Sequence, residues 1–148
     1  MHIPGLKSTL KENEMGQVTT RKVVEGESHL VLSVFLQSDG VSGELDNYVL
    51  LSPEDLIPSR EANRPTFRIM QIWHNLVWFD IVFKFGGIVP RPFWVLPRDN
   101  DSHIDFRSFG GLLDYNETPP PDYSGKILIS TNDFAPLGSQ GSLVISLT

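Results

Sequence analysis

Val77, Phe79, Ile81, Phe83 and Phe85 fall on one side of an extended backbone, opposite Trp78, Asp80, Val82 and Lys84. A period of two fits a strand with one buried and one wetter face, and it does not fit an amphipathic helix. The pattern recurs. Ile104 and Phe106 oppose His103, Asp105 and Arg107, and Leu143, Ile145 and Leu147 oppose Ser142, Val144 and Ser146. One-sided alternation of this kind belongs to antiparallel sheets.

Short runs rich in β-branched and aromatic residues cover Gln17–Val24, Ser28–Gln37, Glu44–Leu51, Thr66–Trp73, Val77–Phe85, Pro92–Leu96, Ser102–Phe109, Lys126–Thr131 and Ser142–Leu147. Between them stand turn signals such as Ser38-Asp39-Gly40, Gly86-Gly87 and a Pro-rich loop at 114–124. About nine strands with regular punctuation predict an all-β fold, an antiparallel β-sandwich of jelly-roll or Ig-like type, with a β-barrel as the alternative. One short helical turn is expected near 53–57, where Ser52 caps, Pro53 opens and Glu54 and Asp55 face the helix dipole before Pro58 ends it. The stretch 66–76 also fits a helical stripe of Phe67, Met70, Trp73 and Leu76, and is read as strand by its neighbours. Residues 1–16 are polar and read as a flexible N-terminal arm with a weak turn around 6–12, leaving 17–148 as a single domain.

The 148 residues suffice to bury a core, and nine Phe with three Trp argue against disorder. Cysteine is absent, which removes disulfides, thiolate metal sites and a Cys nucleophile. Net charge is −6 and no Lys/Arg run exceeds Arg21-Lys22, so nucleic-acid binding is not expected. The apolar stretch Ile69–Phe85 is interrupted by Gln71, His74, Asn75, Asp80 and Lys84, so no membrane span is expected of it. Without an apolar leader at the first residues and without cysteine, the expected setting is the cytoplasm.

Three groups of residues can carry function. The first is Asp99, Asp101, His103 and Asp105. Their alternate spacing can converge donors on a divalent cation (Ca, Mn or Zn), although Ile104 stands where a calcium loop requires Gly. The plain alternative is a polar turn whose carboxylates bond nearby backbone N–H groups, with no cofactor. The second is the row His103, Asp105 and Arg107, which on one strand face would offer an acid/base pair beside an anion clamp. An exposed charge ladder is its plain counterpart.

The third group is aromatic: Trp73, Trp78 and Trp94. Trp on an exposed sheet face stacks on sugar rings or anchors a protein partner, while the ordinary reading places it in the core. Trp78, beside Asp80 and Lys84, is expected on the wetter face, where it can serve a homo-oligomer interface. No Gly-x-Ser-x-Gly elbow, Walker loop, dinucleotide fingerprint or His-Glu-x-x-His is present. The leading expectation is therefore a non-enzymatic binding or assembly module for a protein or glycan. The alternative is a small metal-assisted hydrolase, lyase or isomerase built around 99–107.

Overall fold

The computed structural model describes residues 8–25, 29–52, 68–98, 101–113 and 125–148. Ten strands account for most of them: β1 (Ser8–Met15), β2 (Val18–Glu25), β3 (His29–Gln37), β4 (Tyr48–Leu51), β5 (Ile69–Val77), β6 (Asp80–Phe85), β7 (Arg91–Leu96), β8 (Asp101–Asp105), β9 (Ile127–Asn132) and β10 (Gln140–Leu147). They form a six-stranded sheet in the order β1-β2-β3-β10-β5-β8 and a four-stranded sheet in the order β4-β9-β6-β7. Every strand pair is antiparallel. From β3 to β10 the chain passes between the sheets in the order of a jelly roll, and β1–β2 extends one edge.

The alternation read from the sequence becomes the core. Leu30, Leu32, Val34 and Leu36 of β3 face inward, as do Ile81 and Phe83 of β6 and Leu143, Ile145 and Leu147 of β10. Phe79 and Phe134 pack at 4.8 Å between ring centres inside this layer. Burying one such side chain contributes about 1.5–3 kcal/mol, so phase alone fixes which face turns in. The stretch 69–77 is a strand, hydrogen-bonded to β10 on one side and β8 on the other. Its inward residues are Ile72, His74 and Leu76, in step with a period of two.

Several details depart from the sequence reading. The run 77–85 is not one strand: it breaks at Trp78, whose φ is +74°, so that Val77 ends a strand of one sheet and Asp80 begins a strand of the other. Trp78 therefore lies on a corner and not on the face shared by Asp80 and Lys84. The segment 102–109 stops as a strand at Asp105 and continues as a 3-10 turn over Arg107–Phe109, closed by the Gly110 N–H on the Arg107 carbonyl. Within the segment read as an arm, the backbone of Ser8–Met15 pairs with β2, where a weak turn was expected around 6–12. The turn expected near 53–57 and the 114–124 loop lie outside the described residues. No helix among the described residues is long and apolar enough to cross a membrane.

Candidate functional site

Because strands alternate, every inward residue of the six-stranded sheet has an outward neighbour, and the register aligns these neighbours in rows. One row runs Arg21, Ser33, Val144, Trp73, His103 across β2, β3, β10, β5 and β8. The next runs Thr19, Phe35, Ser142, Asn75. Apart from Val144 both rows are polar except at two aromatic points, Phe35 and Trp73, which flank β10 and are 46% and 38% exposed. The Phe35 ring, standing among short serines, leaves concavities beside it. One hollow of about 290 Å³ is bounded by Thr19, Arg21, Ser33, Phe35, Ser142 and Val144. Another of about 150 Å³ is bounded by Phe35, Asn75, Val77, Gln140 and Ser142. Phe35 and Ser142 border both.

Trp73 is held upright by its neighbour. Its indole lies parallel to the His103 ring, with centroids 4.7 Å apart and planes 1° from parallel. His103 Nε2 lies 2.9 Å from Gln71 Oε1, which anchors the imidazole from the strand beside it. One face of the indole is thus covered by His103. In the register of the two strands, Trp73 is level with Val144 of β10.

His103 and Asp105 project together from β8, as the spacing predicts, but Arg107 does not continue the row. It has turned off the strand, and its guanidinium folds back on Asp105 through Nε (3.0 and 3.1 Å) and Nη2 (2.8 Å). That pairing, with the Arg107 backbone N–H, holds the Asp105 carboxyl at about 2. So stabilised as an anion, Asp105 has little capacity to take up a proton at neutral pH. Of the cation-binding set, Asp99 and the Asp101 side chain lie outside the described residues. Among the described residues no three His, Asp or Glu side chains gather around a common point.

The other two tryptophans take different places. Trp94 meets Phe106 edge-on at 5.0 Å, closing the seam where β7 and β8, the edge strands of the two sheets, come together. Trp78 stands at the β5–β6 corner. The aromatic residue that sequence reasoning passed over is Phe35. The signal was present, since Phe35 falls out of phase with Leu30, Leu32, Val34 and Leu36, where alternation calls for a polar residue. Trp73 is out of phase with Ile72, His74 and Leu76 in the same way.

Comparison with known proteins gives little to set beside this geometry. No protein-family model matches the chain, and no curated protein matches it. Among solved structures it is similar to a crystal structure of FeII HppE, with a TM-score of 0.36 and 9% identity, covering 99% of this chain and 59% of that one. It is similar also to hydroxypropylphosphonic acid epoxidase from S. wedmorenis, with a TM-score of 0.31 and 9% identity, covering 100% of this chain and 58% of that one. The chain thus spans about three fifths of the length of these two proteins, and likeness at this level carries no inference about its chemistry.

Proposed function

We propose that this protein is a non-catalytic binding module that holds a carbohydrate against the outer face of its six-stranded sheet. The observation that carries the reading is the exposure of Phe35 and Trp73 on the two strands that flank β10, with Phe35 walling two hollows. Two aromatic rings left in water cost hydrophobic free energy that a ligand would recover. A sugar ring suits them because it offers an apolar C–H face for stacking and hydroxyls around its rim. The lining supplies matching groups. Thr19, Ser33 and Ser142 carry hydroxyls that donate and accept, and Asn75 and Gln140 carry amides that do both. Arg21 is the one charged side chain among the described residues bounding the two hollows.

A glycan array followed by calorimetric titration of the best ligand tests the reading. Phe35→Ala and Trp73→Ala remove exposed rings and should leave the fold intact. Each is expected to weaken binding by roughly tenfold or more, the scale of one lost aromatic anchor. An array with no binder, or a binder indifferent to both substitutions, overturns the proposal.

A further inference from the structure

The corner at Trp78 presents a second surface, separate from the sheet face. A bulky residue with φ of +74° is an outlier, tolerated only where the surroundings over-determine it. Here they do. The indole lies against Gly138, itself at φ +103°, and a Cβ on that glycine would come within 2.9 Å of the ring. Leu137 precedes Gly138, and a Cβ on Gly40, the residue before Val41, would stand 3.1 Å from the Leu137 Cβ. Trp78, Leu137 and Val41 are 57%, 74% and 88% exposed, so the loops that meet at this corner each present apolar side chains.

The loops that carry these side chains are tied together. Ser38 donates its backbone N–H to the Ser139 carbonyl (2.9 Å) and its hydroxyl to the Ala135 carbonyl (2.8 Å). The Glu44 carboxylate accepts the backbone N–H groups of Phe134 (2.8 Å) and Ala135 (2.6 Å) and the Thr131 hydroxyl (2.9 Å). Asp39 caps the N–H groups of Val41 (2.8 Å) and Ser42 (2.7 Å). A surface so braced loses little conformational freedom when a partner docks.

Charge identifies the partner. Among the described residues, Asp39, Glu44, Asp80 and Asp133 stand on the loops and strand ends of this corner, and Arg98 bridges Asp80 (2.8 Å) and Asp133 (2.7 Å). Four carboxylates less one guanidinium leave three negative charges beside the apolar side chains. We infer that this end of the sandwich docks a peptide segment of a protein partner, one with a large apolar side chain flanked by lysine or arginine. Opposite charge steers such a segment in and sets its register, and the indole supplies the anchor. A second copy of this chain is the poorer occupant, because a symmetric contact would bring the same carboxylates against each other in a protein of net charge −6.

A random twelve-residue peptide library displayed on phage, selected against the immobilised full chain, tests the inference. The expected winners carry an aromatic or long aliphatic residue between basic ones. As synthetic peptides they should bind Trp78→Ala and Leu137→Ser at least about tenfold more weakly than the native chain, and all should weaken as salt is raised. Leu137→Ser changes a largely exposed side chain, so it answers even where Trp78→Ala disturbs the corner. No enrichment, winners without basic residues, or winners indifferent to both substitutions would each overturn the proposal. So would self-association of the native chain that both substitutions abolish, since the occupant would then be a second copy.

Discussion

Gly141 is the second residue of β10, where an ordinary strand residue would be expected, because its neighbours leave no room for a methyl group. A Cβ there would stand 2.7 Å from Leu76 Cδ2, 2.9 Å from the Asn75 carbonyl oxygen and 3.0 Å from Phe79 Cζ. Leu76 can rotate, but the Asn75 carbonyl is part of the β5 backbone and moves only with its strand. Gly141→Ala therefore trades a gain in strand propensity for a forced shift between two central strands. We expect a loss of about 1–3 kcal/mol, the usual cost of overpacking. Urea denaturation should show a lower midpoint with an unchanged slope, and a midpoint equal to that of the native chain would show that β5 gives way freely.

At the scale of elements, the segment after β7 is fastened to the start of β6 by Arg98. Its backbone N–H donates to Asp80 Oδ1 at 2.7 Å, and its guanidinium reaches Asp80 Oδ2 at 2.8 Å and Asp133 Oδ2 at 2.7 Å. The guanidinium, ahead of the backbone contact, lowers the Asp80 carboxyl below the ordinary range. A carboxyl whose folded pKa is depressed adds stability that is present above its unfolded value, near 4, and lost as the pH falls through the folded one. Arg98→Met should therefore lower the melting temperature at neutral pH, modestly because both side chains are partly solvated. The difference between the two melting temperatures should narrow as the pH is lowered from 7 toward 3. A gap that stays constant over that range would mean that Arg98 acts by packing and not by charge.

Elements also show what the sequence could disclose. The phase of β3, β6 and β10 is legible because each strand has one apolar face, and a slip of one residue would invert it. The stretch 66–76 was ambiguous because its apolar residues fit two periods, and only hydrogen bonding to β10 and β8 decides between them. The break at Trp78 was hidden, since a positive φ at Trp leaves no compositional trace of the kind Gly or Asn provides. Arg107 was misplaced for a local reason: its ion pair with Asp105, two residues away, forms in a turn and replaces the straight row that alternation predicts. Phe35 could have been found, because an aromatic out of phase in an otherwise regular strand is a departure visible in the letters alone.

The jelly roll places the two ends of the chain in unequal positions. β10, the last strand, pairs with β3 on one side and β5 on the other, in the middle of the six-stranded sheet. Leu143, Ile145 and Leu147 carry its apolar face into the core. Until residues 140–147 are in place, β3 and β5 lack their common partner and the sheet cannot close. Pairing at such sequence separation forms slowly, because the intervening chain must be ordered first. β1 is different: it pairs with β2 alone, at the outer edge of the same sheet, and the eight strands of the roll exist without it. Removal of residues 1–15 should lower the melting temperature yet leave one cooperative transition, with β2 as the new edge. Removal of residues 140–148 should abolish cooperative unfolding altogether, because it strips the core and unpairs two strands at once. Circular dichroism melts of the two truncations decide the matter. A cooperative melt without β10 would mean that β3 and β5 find another arrangement, and loss of cooperativity without β1 would mean that the edge hairpin is part of the folding unit.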